Sequence, residues 1–416
     1  MADPAAVLIA ARDEEGRIGA TVRALRAAFP AATVLVADDG SRDGTAAEAE
    51  QAGATVLRLP HRGKGQALTL AEHFAPPGPV LLCDADLRGD LRPLAASGAD
   101  LAVAAFSRRQ GGGFGLAKGI ARAAIRVAAG FAAREPLSGQ RALSPAARAA
   151  CFPVSAGFGV ETRMTIDAAR AGLSIEEVEI DLEHRASGRD LAGFAHRGRQ
   201  LRDLLLALGP QEANHRGLRL PLVGALIALG GSGAPRRTAV AVAAVAALGL
   251  ADDLWSGPER GWRSHLAAGR TTGVLKAVAI PAVGVVATGS LSGGLLVGLS
   301  ANTLNMLDTK PGRALKAFLA VAVLLRGRSV APYAGVAVML APYDLREMAM
   351  LGDTGSNALG AVLGLEAVPH LTGRSRLIAI AALGGLTVLG ELRSLGALIE
   401  RTPGLRAIDR AGRQPR

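Results

Sequence analysis

Residues Thr33–Thr45 read TVLVADDGSRDGT, an apolar run that stops at two aspartates and a glycine. A short, continuous run of β-branched and aliphatic residues is typical of a strand buried on both faces. The polar, glycine-rich residues that follow predict a turn, after which a helix runs from Thr45 to about Ala52. This succession of strand, acidic turn and helix is the unit from which open α/β sheets are built.

The same unit recurs on both sides of this stretch. Predicted strands at Val7–Ala11, Thr55–Leu59 and Val80–Cys83 alternate with helical segments such as Ile18–Phe29. Strands that alternate with helices favour a parallel sheet that is covered on both faces. In such sheets ligands bind beyond the carboxyl ends of the strands, and the acidic clusters of this sequence lie at those ends.

Two carboxylates, Asp84 and Asp86, follow the strand Val80–Cys83. Carboxylates two residues apart on a tight turn can share a divalent cation that neutralises a diphosphate, and Mg²⁺ or Mn²⁺ prefers such oxygen ligands. The glycines on either side of Lys64 let the backbone approach a phosphate, to which the lysine adds positive charge. A solvated loop is the alternative for each signal taken alone, but the ordered set is more specific.

Five segments carry these signals in a fixed order: Ala10–Glu15, Asp38–Thr45, Gly63–Gly65, Asp84–Asp86 and Ser138–Arg141. In this order they resemble the family 2 glycosyltransferases of the GT-A (Rossmann-like) fold, and most of all the dolichyl- or polyprenyl-phosphate sugar synthases. The resemblance implies a donor sugar linked to UDP or GDP. It also implies residue roles: the nucleoside contacts Asp13 or Glu15, Asp38 and Asp39, the metal and diphosphate contact Asp84 and Asp86, and Arg141 lies near the acceptor.

Two later groups bear on the acceptor. Glu161 follows a glycine-rich turn and stands where many inverting members of the family have an acidic catalytic group. It is a general base if the acceptor is a hydroxyl, and structural if the acceptor is a lipid phosphate whose oxygen is already anionic. His184 and Arg185 follow a predicted strand, Ile175–Leu182, and either clamp a phosphate or belong to a solvated basic loop.

Composition limits the partners and the location. The 416 residues carry a formal net charge of +11, and only 3% of them are aromatic. No basic cluster with aromatic platforms stands out, so nucleic acid is not an expected partner. Cys83 and Cys151 lack the spacing of a metal site or a disulfide framework and are expected to be buried free thiols. No secretory signal is recognisable, which favours a cytoplasmic first domain.

From residue 219 the sequence is dominated by Ala, Gly, Leu and Val. Eight apolar segments follow one another: 219–233, 238–250, 273–288, 290–304, 314–325, 330–343, 356–370 and 376–391. They predict an all-α polytopic transmembrane domain, although several are shorter than the roughly 20 residues that span hydrocarbon. A buried soluble core is the alternative. The predicted domains are 1–212 and 213–416, with the first domain and the acidic loops on the cytoplasmic side of the inner membrane.

Three acidic segments lie at the ends of these apolar stretches: Gly249–Asp253, Asn302–Asp308 and Leu351–Ser356. They resemble the motifs of a second family, the polyprenyl-phosphate N-acetylhexosamine-1-phosphate transferases. The resemblance implies Mg²⁺-dependent transfer of a sugar phosphate from a UDP-sugar to a polyprenyl phosphate. It also implies residue roles: Asp353 binds the metal, Asp308 contacts the nucleotide or the metal, Asn305 contacts substrate, and Asp252 and Asp253 lie near the lipid phosphate.

This chain departs from the second family at several points. A lysine that is common after the aspartate pair is missing, because Leu254 and Trp255 follow Asp253. The glycine-rich repeat after Asp308 and a late histidine-rich loop are missing as well. Three hypotheses therefore stand: a two-site enzyme of lipid-linked glycan assembly, a single-activity glycosyltransferase with a membrane anchor, and a non-catalytic membrane scaffold.

Overall fold

The computed structural model describes residues 3–106, 116–181, 191–255 and 272–413. The chain divides into two compact units, Met1–Pro221 and Leu222–Arg416. The first unit extends beyond residue 212 because two short strands pair antiparallel at its end, Gln211–Ala213 and Arg219–Pro221.

In its described residues, the first unit has a seven-stranded sheet. Its strands are β1 (Ala6–Ala11), β2 (Thr33–Asp38), β3 (Thr55–Arg58), β4 (Val80–Asp84), β5 (Leu101–Phe106), β6 (Arg141–Leu143) and β7 (Ile175–Ile180). Their order in the sheet is β3-β2-β1-β4-β6-β5-β7. Neighbours are parallel except at β6, which is antiparallel to both β4 and β5. The predicted α/β sheet is confirmed, with one reversed strand that the sequence did not predict.

Helices pack on both faces of this sheet. They are α1 (Ile18–Ala28), α2 (Thr45–Gln51), α3 (Lys64–Glu72), α4 (Arg92–Ala95), α5 (Leu116–Ala129), α6 (Pro145–Cys151), α7 (Val160–Arg170) and α8 (Leu191–Leu208). Alternate side chains of strand β1, which is buried except at the partly buried Ala10, enter two different cores. Val7 and Ile9 pack in the core that contains Ile18, whereas Leu8 packs in the core that contains Leu68 and residues of α7.

The strand register places two acids beside the end of β1. Ala11 pairs with Asp38, the last residue of β2, and Ala10 pairs with Asp84, the last residue of β4. Both carboxylates therefore leave the sheet at its carboxyl edge, on either side of the central strand. This is the edge at which open α/β sheets bind ligands.

The second unit is helical. Its α-helices are α9 (Arg236–Trp255), α10 (Thr272–Thr288), α11 (Leu291–Leu307), α12 (Arg313–Leu325), α13 (Ala331–Leu345), α14 (Gly352–His370), α15 (Gly373–Leu392), α16 (Leu395–Arg401) and α17 (Pro403–Arg410). Seven of the eight predicted apolar segments fall on α9 to α15. The first segment, 219–233, is not an α-helix, because a strand opens it and the 3-10 helix Gly224–Gly233 continues it.

Small residues bring helices of the second unit close together. A Cβ added at Gly360 of α14 would overlap the backbone of Ala301 in α11, and one at Gly364 would overlap the backbone of Val297. Such close backbone approach is characteristic of helices that associate through small residues. The acidic ends of α11 and α14 are consequently held near one another.

One helix in the described part of the chain is long and apolar enough to cross a membrane, at Gly373–Gly390. Two shorter apolar helices accompany it, Gly224–Gly233 and Leu275–Thr288. The prediction of a helical second domain is confirmed, whereas the eight predicted membrane spans are not.

Candidate functional site

Asp39 directly follows β2 and shapes the turn that leads into α3. Its buried side chain accepts hydrogen bonds from the backbone N–H groups of Arg62 at 2.6 Å and Gly63 at 2.9 Å. Nδ1 of His61 lies 2.7 Å from its Oδ2. Gly63 has a φ of 97°, in the region that favours glycine, and α3 begins at the next residue, Lys64. The Asp39 carboxylate therefore helps to position Lys64.

The loops after β1 and β2 are tied together by hydrogen bonds. Oδ1 of Asp13 accepts from the backbone N–H of Arg42 at 2.9 Å, and the backbone N–H of Asp13 donates to Oγ of Ser41 at 3.0 Å. The buried Asp38 carboxylate accepts from the backbone N–H of Ser41 at 3.0 Å. Glu15 is exposed on the β1 loop. The four predicted nucleoside-binding acids, including Asp39, thus share this edge of the sheet.

Lys64 is the central cation of the edge. Its Nζ donates to Oδ1 of Asp84 at 2.7 Å and to Oε1 of Glu161 at 2.7 Å. Asp84 ends β4 and Glu161 lies in the first turn of α7, so one ammonium joins three separate elements. Only 8% of the Glu161 side chain is exposed, compared with 35% for Asp84.

Electrostatics keep this lysine charged. Burial alone would lower the pKa of Lys64, but the two carboxylates outweigh burial and raise the pKa above its ordinary value. The side chain is therefore a fixed positive charge beside the carboxyl end of β4. A positive charge at this place can attract a diphosphate. The nearby carboxylates of Asp84 and Glu161 would repel the diphosphate unless a second cation also offsets their negative charge.

The residues just before β6, Gly139 and Gln140, also contact the Asp84 carboxylate. Nε2 of Gln140 donates to Oδ2 of Asp84 at 3.1 Å. A Cβ added at Gly139 would overlap the Asp84 carboxylate, so glycine is needed for this close approach. Both oxygens of Asp84 consequently have a fixed neighbour.

Arg141 is fully buried below this segment. Its guanidinium donates to the carbonyl oxygens of Ser138 at 2.9 Å and Pro136 at 3.2 Å, and to Oγ1 of Thr165 at 2.9 Å. Burial lowers the pKa of Arg141 to about 10. Through these hydrogen bonds, Arg141 holds the loop that carries Gly139. Its position near the acceptor stays a prediction.

The carboxylates at the end of β4 can hold a divalent cation only together with oxygen ligands from outside the protein. Asp86 is exposed two residues beyond Asp84. Among the described residues, no group of three or more His, Cys, Asp or Glu side chains could hold a metal ion by itself. Mg²⁺ is commonly held by one or two carboxylates, with diphosphate and water oxygens completing the shell. Asp84 and Asp86 fit Mg²⁺ or Mn²⁺ if diphosphate and water supply the remaining ligands. Of the two carboxylates, Asp86 is the one exposed to solvent.

The predicted phosphate clamp, His184 and Arg185, lies outside the described residues. Its role stays a prediction.

In the second unit, the two acidic segments at the ends of α9 and α14 meet. The Asp253 carboxylate accepts from the backbone N–H groups of Asp353 and Thr354, both at 2.9 Å, and from Oγ1 of Thr354 at 2.5 Å. These are N–H groups of the first turn of α14, which have no partner within the helix. Asp253 therefore caps α14.

Lys276 of α10 completes this cluster. Its ammonium forms ion pairs with Asp252 of α9 and with Asp353 of α14. Asp252 is buried, and 15% of the Lys276 side chain is exposed. One lysine thus connects three helices through two of the predicted site residues.

The third acidic segment contacts the same region through Asn305. Oδ1 of Asn305 accepts from Oγ of Ser356, one turn into α14, at 3.1 Å. Asp308 forms the C-cap of α11, one turn beyond Asn305. The structure therefore brings Asp252, Asp253, Asn305 and Asp353 together and places Asp308 at the adjoining helix end.

A divalent cation does not fit this second cluster as it stands. The Asp253 oxygens already accept three hydrogen bonds, and Asp252 and Asp353 share the Lys276 ammonium. A cation that bound between Asp252 and Asp353 would have to expel the lysine. The predicted metal role of Asp353 is thus at odds with its observed partner.

Sequence reasoning missed Lys276, Gln140 and Gly139. Lys276 lies near the start of the apolar segment 273–288, and a lone lysine in such a segment is a signal, because charges within apolar helices are costly and usually paired. Gln140 and Gly139 lay inside a quoted motif without an assigned contact.

The comparisons with known proteins agree with the geometry of the first unit. Residues 6–90 match the model of glycosyl transferase family 2. Glycosyltransferase AglJ of Haloferax volcanii is 32% identical over 172 residues, which cover 38% of this chain and 56% of AglJ. The chain therefore spans about half the length of this relative.

Two solved structures are also similar. A mycobacterial protein is 28% identical, covers 50% of this chain and 74% of its own, and has a TM-score of 0.42. Glucosyl-3-phosphoglycerate synthase from Mycobacterium tuberculosis, solved with Mn²⁺, UDP and glucosyl-3-phosphoglycerate, is 25% identical, covers 50% of this chain and 79% of its own, and has a TM-score of 0.41. From the match over residues 6–90, the N-terminal part of this chain carries a glycosyl transferase family 2 domain.

Proposed function

We propose that this protein transfers a sugar from a UDP- or GDP-linked donor to a polyprenyl-phosphate acceptor at the membrane. The observation that carries the proposal is the Lys64 ammonium held between Asp84 and Glu161 at the carboxyl edge of the sheet. The family match over residues 6–90 and the likeness to a glycosyltransferase support the same reaction class.

The donor would bind across the ends of β1, β2 and β4. Asp13, Glu15, Asp38 and Asp39 offer carboxylates for the ribose and the base, with Asp38 and Asp39 also fixing the loops. Asp84 and Asp86 would hold Mg²⁺ or Mn²⁺, which neutralises the diphosphate leaving group when bound. Lys64 adds a second positive charge beside that leaving group, so charge that develops there meets a pre-positioned partner.

Glu161 has two roles that depend on the acceptor. A lipid phosphate needs no base, because its attacking oxygen already carries negative charge. In that case Glu161 is a positioning residue that keeps Lys64 beside Asp84. With a hydroxyl acceptor, Glu161 would instead remove the proton, after releasing Lys64.

Membrane attachment rests on the second unit. Its helices expose many large apolar side chains, including Val278, Val286, Leu324, Met339, Leu377 and Ile378. Exposed apolar surface on this scale marks an interaction surface, and lipid is the partner that suits smooth aliphatic helices. The helix Gly373–Gly390 is long enough to span. We infer a multi-pass protein of the cell membrane, with its acidic helix ends on the cytoplasmic side.

Transfer of a sugar phosphate by the second unit is the second candidate. The convergence of Asp252, Asp253, Asn305 and Asp353 favours it, because three separate segments supply these residues. The Lys276 ammonium between Asp252 and Asp353 counts against it, because the reaction that the resemblance implies depends on Mg²⁺. The alternative is that this unit only anchors the enzyme and presents the lipid. If the protein were a non-catalytic scaffold, neither the acidic residues of the first unit nor those of the second unit would take part in a reaction.

The purified chain should be incubated with Mg²⁺, undecaprenyl phosphate and a panel of nucleotide sugars, and the lipid products separated. We expect a lipid-linked sugar from the wild type and from D353A, and none from D86A. Loss of the product in both variants would favour two coupled sites. No lipid product with any donor would overturn the proposal.

A further inference from the structure

The cluster at the ends of α9, α10 and α14 carries a built-in cation. The Lys276 ammonium contacts Asp252 and Asp353, which come from different helices. A divalent cation that bridged these two carboxylates would take the same place. The cluster thus already holds a cation that the chain itself supplies.

The remaining acid of the cluster is not available either. Both Asp253 oxygens accept hydrogen bonds, Oδ1 from the Asp353 backbone and Oδ2 from the Thr354 backbone and hydroxyl. Turning this carboxylate toward a metal would leave the first turn of α14 uncapped. Breaking a largely buried ion pair at the same time would leave Lys276 beside the new cation.

Neighbouring helices enclose the arrangement. A Cβ added at Gly249 of α9 would meet the backbone of Asp353 and Thr354, so α9 and α14 are in close contact beside the cluster. Only 7% of the Asp252 side chain and 15% of the Lys276 side chain are exposed. The Lys276–Asp252 pair is therefore largely shielded from water, and removal of one partner is more costly than at a surface, whereas 29% of the Asp353 side chain is exposed.

We propose that Lys276 is the permanent counter-ion of Asp252 and Asp353, and that this cluster binds no divalent cation. It joins α9, α10 and α14 instead. The proposed cation site at Asp84 and Asp86 in the first unit is separate from this cluster. The proposal does not depend on which sugar or acceptor the enzyme uses.

Bound Mn²⁺ is the direct readout, because free Mn²⁺ is quantified by its electron paramagnetic resonance signal. The full-length chain in detergent should be titrated with Mn²⁺ in the presence of UDP. D353N is expected to bind as many Mn²⁺ ions as the wild type. K276Q is expected to bind one more ion per chain, and K276Q/D353N to lose that additional ion.

A matched control is K316Q, since Lys316 of α12 donates to the backbone carbonyls of Ile408 and Asp409, outside the cluster. It should leave the Mn²⁺ count unchanged. The D86A variant reports the first-unit site separately, so failure there concerns the proposed sugar transfer and not Lys276. A lower Mn²⁺ count in D353N than in the wild type would overturn the inference, as would a folded K276Q that gains no ion.

Discussion

Lys64 and Glu161 are 97 residues apart in the chain, yet the Lys64 ammonium lies 2.7 Å from Oε1 of Glu161. The same ammonium lies 2.7 Å from Oδ1 of Asp84, at the end of β4. Because Glu161 is buried and Asp84 is partly open, the lysine connects the interior of the unit to the predicted donor site.

Replacing Lys64 by methionine should lower kcat by about 10²- to 10³-fold, the usual effect of removing one pre-positioned charge from a reacting group. It should also destabilise the first unit by about 3–5 kcal/mol, because Glu161 would be left buried without its partner. Steady-state kinetics and urea unfolding measure the two effects. K118M is the matched control, since Lys118 pairs with Glu135 elsewhere in the unit. Full activity in K64M would refute the assigned role.

Gly139→Ala should displace Asp84, because the added Cβ would overlap that carboxylate. Overpacking of this kind typically costs about 1–3 kcal/mol, and we also expect weaker Mn²⁺ binding. Gly119 of α5 has open space around it, so Gly119→Ala should be neutral or stabilising by up to about 1 kcal/mol. Urea unfolding of the two variants tests the contrast. Equal stabilities would mean that Asp84 is not held as described.

The two cysteines, predicted as buried free thiols, are confirmed as such. Burial raises the pKa of the Cys83 thiol well above its ordinary value and raises that of Cys151 to about 12. Neither thiol should react with a disulfide reagent at pH 8 until the first unit unfolds. Rapid labelling of the folded protein would contradict the burial.

These thiols also give a pH dependence. The folded-state pKa of Cys151 is raised above its unfolded value of 9.0, so the folded state holds the proton more tightly. Its contribution to stability is complete below about pH 9 and is lost as the pH rises towards about 12, by at most about 1.4 kcal/mol per pH unit. Cys151→Ala should flatten this part of the stability curve. An unchanged slope would argue against the raised pKa.

Asp253→Ala should destabilise the second unit by about 1–2 kcal/mol, because the first turn of α14 loses its cap. Asp253→Asn keeps one acceptor oxygen and should lose less. Thermal unfolding in detergent compares the two variants with the wild type. If alanine and asparagine unfold at the wild-type temperature, Asp253 does not cap the helix.

Much of the first unit was predictable from the sequence, because short apolar runs end in acidic turns at β1, β2 and β4. The strand β6 was not, since its three residues, Arg141–Leu143, are too few to show a period. Its reversal brings Gly139 and Gln140 against Asp84, so these contacts also escaped prediction. Long-range pairing decides them, and local sequence carries little trace of it.

In the second unit, the positions of the helices were predictable from the sequence, whereas the contacts of the acidic side chains were not. Long apolar runs located α9 to α15 to within a few residues, because such runs are a strong sequence signal. What the sequence could not supply was the partner of each acid. Asp353 reads as a metal ligand by resemblance, whereas the fold brings Lys276 to it from a helix that carries no motif.

Release of nucleotide tests the central claim most directly. With Mg²⁺, a nucleotide sugar and undecaprenyl phosphate, the wild type should release UDP or GDP, and D86A should reduce this release by about 10²-fold or more. D90N is the matched control, because Asp90 lies on the same loop and pairs with Arg92. Release of UDP or GDP by D86A at the wild-type rate would contradict sugar transfer at the first-unit site.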